Sequence, residues 1–146
     1  MQNDTYQIET SESFLKFEFY SIGPNGKVKK QVHFTQIDIN LFNLGFGDID
    51  SNGKLNDTAI TNNKDRQIVL FTVALTIYKF CEKHSSFFVF AQGSTKSRTR
   101  LYQISISNNL EEIIVNFQIY GLYKEHWEVF QKGKNYEAFL VKRKNM

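Results

Sequence analysis

Cysteine, proline and tryptophan each occur once in the 146 residues. The lone thiol, Cys81, excludes an internal disulfide and any multi-cysteine zinc site. The lone proline leaves few stiffened loops. It falls in Gly23-Pro24-Asn25-Gly26, where a preset φ followed by residues tolerant of positive φ makes a turn. Long hydrophobic runs are also missing: the most apolar stretch, Ile68 to Cys81, is too short to span a bilayer and contains Thr72 and Thr76. Met1-Gln2-Asn3-Asp4 is polar and lacks the apolar core of a secretory signal, so the expectation is a cytoplasmic protein without a membrane partner. Neither sign of charge is in large excess. A net charge of +3 permits a polyanionic partner without requiring one. There is no G-x-S-x-G, Walker A or G-x-G-x-x-G string, and Gly45-Phe46-Gly47 is too short for a phosphate loop. His33, His84 and His126 have no ligand spacing with one another or with Cys81, which lies in an apolar stretch and reads as core.

What the chain has is aromatic side chains, 14 Phe and 7 Tyr, which favour half-buried pleated surfaces and predict a substantial sheet. Leu15, Phe17 and Phe19 alternate with polar residues, and Val28, Val32 and Phe34 alternate with Lys27, Lys29, Gln31 and His33. The Gly23–Gly26 turn joins these runs as a hairpin. Ile37, Ile39 and Leu41 continue as a third strand, after which the apolar phase moves to Phe42, Leu44 and Phe46 and implies a bulge or bend. Asp48 to Asn63 is a polar loop. Asn62 or Asn63 caps a helix over about Lys64 to His84, apolar except for a stripe of Thr72, Thr76, Lys79 and Lys83. Phe87 to Ala91 lacks alternation, as in an interior strand covered on both faces. A basic helix to about Ser107 and a short helix opened by an Asn109–Glu112 capping box follow. A strand through Phe117, Ile119 and Leu122, a turn at Glu125-His126-Trp127 and a last strand from Tyr136 to Lys144 complete the chain. The expected fold is a single α+β domain over residues 1–146, with 1–12 as a loose arm or short edge strand. Its sheet is mixed and mostly antiparallel, in the order β-β-β-α-β-α-β-β.

One stretch stands out for function. After Phe87-Phe88-Val89-Phe90-Ala91, the chain reads Gln92-Gly93-Ser94-Thr95-Lys96-Ser97-Arg98-Thr99-Arg100-Leu101-Tyr102, and no acid lies between Glu82 and Glu111. A strand, a glycine turn and a helix N-terminus capped by Ser94 or Thr95 are expected there, with the dipole and free N–H groups favouring an anion. Arg98 and Tyr102 share a helix flank with Thr95. Lys96 and Arg100 lie on another, and Ser97, Leu101 and Ile104 face the core between them. Gly93, Ser94, Thr95, Arg98 and Arg100 are therefore the expected phosphate-binding set, extended by Lys96, Lys142, Arg143 and Lys144. The competing reading is a capped helix whose arginines pair with neighbouring acids.

Two further stretches carry weaker chemistry. Asp48, Asp50 and Asn52, before Gly53, match the opening of a calcium loop. Ala59 stands where the closing glutamate belongs, so a solvated loop of turn formers explains the same residues. Tyr120, Tyr123, Trp127, Phe130 and Tyr136, interleaved with Lys124, Lys132 and Lys134, could stack bases, but cross-strand pairing accounts for such aromatics as well.

Ser21-Ile22-Gly23-Pro24, Asn43-Leu44-Gly45-Phe46-Gly47-Asp48, Asn62-Asn63-Lys64-Asp65-Arg66, the Gly93–Tyr102 string and Gly133-Lys134-Asn135-Tyr136-Glu137-Ala138-Phe139 together resemble a family of short uncharacterised bacterial proteins, a domain of unknown function. The element order also resembles the later half of the acetyl-CoA-dependent N-acetyltransferase superfamily, and that resemblance implies Tyr102 as a general acid. The superfamily's R-x-x-G-x-G/A loop is replaced by Asn62-Asn63-Lys64-Asp65-Arg66-Gln67-Ile68, without glycine. The leading expectation is a domain binding nucleic acid or a nucleotide. An acyl-CoA-dependent transferase and a protein-interaction component of a two-protein system are the alternatives. The sequence assigns no cofactor.

Overall fold

The computed structural model describes residues 4–56 and 63–144. Its order is β1 (Glu9–Thr10), β2 (Lys16–Gly23), β3 (Gly26–Asp38), β4 (Leu41–Ile49), β5 (Leu55–Asn56), α1 (Arg66–Lys83), β6 (Phe88–Ala91), α2 (Lys96–Asn108), α3 (Leu110–Asn116), β7 (Phe117–Tyr123), β8 (His126–Val129) and β9 (Phe139–Arg143). The fold is α+β, with one sheet of nine strands ordered β1-β2-β3-β4-β6-β9-β7-β8 and with β5 paired to the far end of β4. Every pairing is antiparallel except β4 with β6.

Cross-strand partners point to the same side, so the registers sort the side chains into two faces. Phe17, Phe19, Val32, Phe34, Phe42, Leu44, Val89, Ile119 and Val141 are buried on one face. The helices pack there: the Phe80 ring of α1 stacks on Phe34 at 4.4 Å between centroids and meets Phe42 at 5.0 Å, and Tyr78 meets Phe117 edge-on at 4.7 Å. The three helices described cover this face only.

The structure corrects several sequence expectations. The expected bulge is present, as a register shift between Gln36 and Asp38, but Ile37, Ile39 and Leu41 are not one strand: β3 runs to Asp38, a two-residue turn follows, and Asp38 pairs with Leu41. His126 and Trp127 belong to β8, because the turn falls at Lys124 and Glu125, which hold positive φ of 48° and 69°. Thr72 and Thr76, half of the expected polar stripe, lie inside. Both are fully buried and bond helix carbonyls, Thr72 Oγ1 to Ile68 O (2.7 Å) and Thr76 Oγ1 to Val73 O (2.6 Å).

Asn63 caps nothing. It is buried against the β2–β3 turn, its Oδ1 accepting from Asn25 N (2.7 Å) and its Nδ2 donating to Gly26 O (3.0 Å). Asn62 lies outside the described residues. Asp65 holds the N-cap position of α1, and its carboxylate accepts from Ser21 Oγ (2.5 Å) and Tyr6 OH (2.6 Å). These bonds lash the first hairpin and the N-terminal segment to the start of α1. Asn109 likewise forms no capping box. It sits at the α2–α3 junction, and its side chain donates to Ser105 O (2.8 Å).

Gly23 passes so close to Asn63 that a Cβ would stand 2.1 Å from the Asn63 carbonyl oxygen. Gly23→Ala should therefore destabilise the protein by about 1–3 kcal/mol, the usual cost of overpacking. Urea denaturation of the variant checks this, and an unchanged midpoint would refute the contact.

Candidate functional site

Gly93 follows β6 and presses on the first turn of α2, where a Cβ would lie 2.4 Å from Thr99 N and 2.6 Å from Arg98 C. Only glycine permits this approach. Gly93 N donates to Thr99 Oγ1 (3.0 Å), which donates to Thr95 O (3.2 Å). Thr95, with extended φ and ψ of −135° and 164°, is the N-cap and accepts from Arg98 N at 3.2 Å. The Arg98 guanidinium donates to Ser94 Oγ (3.2 Å), and that of Arg100 donates to the neutral Asn135 Oδ1. Ser94, Thr95, Lys96 and Arg100 are exposed, and Arg98 is half-buried.

The inward face of α2 differs from the expected Ser97–Leu101–Ile104 face. Its buried residues are Thr99 and Gln103, whereas Ser97 and Ile104 are exposed. Gln103 replaces apolar packing with hydrogen bonds to the loop before β9, donating to Lys134 O and accepting from Tyr136 N at 2.8 Å. Tyr102 lines a cleft of about 480 Å³ between the helices and the sheet.

Lys142, Arg143 and Lys144 do not join the Gly93 turn. Ala91, at the turn's end of β6, pairs with Phe139, and Arg143 is four residues further along β9, about 13 Å at the rise of a strand. Lys144 Nζ donates to Ile114 O beyond that end. Lys142 points to the opposite face from Val141, with its ammonium 5.4 Å from the Phe88 ring centre.

Among the described residues no helix covers that opposite face, and it carries side chains that sequence reasoning placed elsewhere. Phe88 and Phe90 alternate with the buried Val89, so they lie on the open side of a strand expected to be covered on both. Phe90, Leu140, Tyr120 and Val129 form one cross-strand row. Trp127 approaches Phe90 edge-on (6.1 Å) and Phe88 approaches Tyr120 (6.4 Å). The tip of the β3–β4 hairpin adds Ile37, Asp38, Asn40 and Leu41, enclosing with Phe90 and Trp127 a recess of about 380 Å³. Lys16, Lys27, Lys29 and His33 share this face on the neighbouring strands, with Glu18 paired to Lys29 at 3.3 Å. Burial, and secondarily Lys16, lowers the His33 pKa.

The other C-terminal aromatics turn inward. Tyr136 packs with Phe130 (5.2 Å), Tyr123 (6.3 Å) and Phe139 (6.3 Å). The Tyr136 hydroxyl donates to Glu128 Oε2 (2.8 Å), and Lys134 reaches the same carboxylate at 2.9 Å and holds it below the usual range. Lys124 and Glu125 occupy the β7–β8 turn, and Lys132 is exposed.

The calcium-like stretch is organised as a turn. Asp50 Oδ1 accepts from Asn52 N and Lys54 N, both at 2.9 Å, while Asp48 faces the helix side and pairs with Lys30. The position of Ala59 lies outside the described residues.

Cys81 is fully buried in α1, and burial pushes its thiol up to about 12. Relative to an open cysteine this lowers the thiolate fraction at neutral pH by about a thousandfold. A disulfide reagent should therefore label the native protein far more slowly than the unfolded one. Rapid native labelling would place the thiol at the surface.

No helix among the described residues is long and apolar enough to cross a membrane. Neither the curated proteins nor the solved structures contain a match to this chain. A protein family described as a family of unknown function (DUF6934) matches residues 2–144, nearly the whole length, and the chain belongs to that family.

Proposed function

We propose that this domain binds single-stranded nucleic acid, stacking bases on the helix-free face of the sheet and holding phosphates with the cations around it. The observation that carries the reading is the grouping of Phe88 and Phe90 on β6, Tyr120 on β7 and Trp127 on β8 on one face, across β9, with Lys142 beside Phe88. Trp127 is exposed and Phe88, Phe90 and Tyr120 are half-buried; accessible ring faces accept any base by stacking, and flanking cations hold the backbone. A recess of about 380 Å³ beside Phe90 and Trp127 is of small-ligand size and admits one splayed base.

The Gly93 turn extends this surface. Gly93 lies three residues beyond Phe90, just after the end of the strand that carries two of the rings. Ser94, Thr95, Arg98 and Arg100 supply hydroxyl, amide and guanidinium donors there, and the Arg100 bond to an amide oxygen is one that a phosphate oxygen replaces favourably. A nucleotide would use the same recess and turn.

Trp127 is the sole tryptophan, so its fluorescence reports the surface directly. A short single-stranded RNA or DNA should quench it and bind more tightly than duplex DNA, with affinity falling as salt rises. Phe90→Ala should weaken binding by about 1–3 kcal/mol, the range for one lost stacking partner. Arg98→Ala/Arg100→Ala should flatten the salt dependence. Binding unaffected by Phe90→Ala, or a preference for coenzyme A over any oligonucleotide, would overturn this reading and favour the transferase.

A further inference from the structure

We propose a second binding site, on the helix side of the sheet, for a neutral amphiphile: a long-chain alcohol, amide or ester. The cleft of about 480 Å³ between α1, α2, α3 and the sheet falls within the size range of small-molecule sites. Its floor is apolar, formed by Leu44, Phe139 and Val141, with Ala91 contributing only a methyl group. The α1 wall is Leu70, Phe71, Ala74 and Ile77, so three sides suit a hydrocarbon chain.

The fourth wall has a different character. Ile106, Ile113 and Val115 line it together with five residues that carry hydrogen-bonding groups, Tyr102, Ser105, Asn109, Glu112 and Asn116. Two are anchored locally, Asn109 Nδ2 on Ser105 O (2.8 Å) and Asn116 Nδ2 on the Tyr78 hydroxyl (2.7 Å), which fixes the polar wall in place.

Charge selects the head group. Glu112 is the sole charged residue lining the cleft, and no lysine or arginine lines it. A carboxylate or phosphate would meet the like charge of Glu112 within the lining, with Lys144 held outside it on Ile114 O, whereas a hydroxyl, amide or ester can bond the wall uncharged. The cleft thus excludes the anionic ligands that the opposite face attracts.

The whole chain, melted with dodecanol and separately with dodecanoate at about pH 8, tests the site. Dodecanol near saturation should raise Tm by about 5 °C, the size expected for a ligand well above its Kd, and dodecanoate should leave it unchanged. Ala74→Phe fills the cleft and should abolish the dodecanol shift without altering Trp127 quenching by RNA. Glu112→Lys, at an exposed position, should admit dodecanoate, which keeps the proposal testable if Ala74→Phe fails to fold. No dodecanol shift in the wild type, equal shifts with both probes, a shift that survives in folded Ala74→Phe, or continued exclusion of dodecanoate by Glu112→Lys would overturn it.

Discussion

The two halves of the sheet meet at one parallel ladder, Leu41–Leu44 against Phe88–Ala91. Parallel neighbours cannot be joined by a tight turn, so the chain must leave the sheet and return by a crossover, and α1 lies on that crossover. β6 is then clamped between β4 and the antiparallel β9. Side chains on both faces of the sheet and the Gly93 turn are set by this four-residue strand. Val89 and Ala91 face the helices, Phe88 and Phe90 face the open side, and Gly93 follows its end.

Buried polar groups fix the geometry around that ladder. Asn63, Ser21, Thr72, Thr76, Thr99 and Gln103 are all buried, and among the described residues every buried side-chain nitrogen or oxygen has a partner. A buried polar atom without a partner is costly, so each of these bonds fixes one arrangement. Thr99 ties α2 to the Gly93 turn, and Gln103 ties it to the loop before β9. The α2 N-terminus is thus held by directional bonds more than by apolar packing, which sets where Ser94, Thr95 and Arg98 present their donors.

The two faces separate two chemistries. The helix side encloses the Phe34–Phe80–Phe42 stack and, toward β7 and β9, an apolar cleft with one polar wall. The open side presents rings among lysines. On that side Trp127 is exposed, while Phe88, Phe90 and Tyr120 are half-buried among their neighbours.

Period-two alternation with a Pro-Asn-Gly turn specifies the first hairpin, because side-chain period and turn chemistry are local properties. A long apolar run with helical caps absent from its middle specifies α1, and the Gly-Ser-Thr string specifies the β6–α2 turn with Thr95 as its cap. The α+β class follows from that order. Other features are decided in three dimensions. No local signal tells that β9 inserts between β6 and β7, since strand order in a sheet depends on which partners remain unpaired after the crossover. Phe88-Val89-Phe90-Ala91 reads as doubly covered because its open-side residues are as apolar as its buried ones. Asn63 reads as a helix cap and Thr72 as part of a polar stripe because composition does not reveal the hydrogen-bond partner that makes a polar side chain affordable inside. The Gly93–Tyr102 string was visible in the sequence as a turn and a capped helix; that Phe88 and Phe90 share a face with Tyr120 and Trp127 was settled by the strand order around the parallel ladder, through contacts between residues more than forty positions apart.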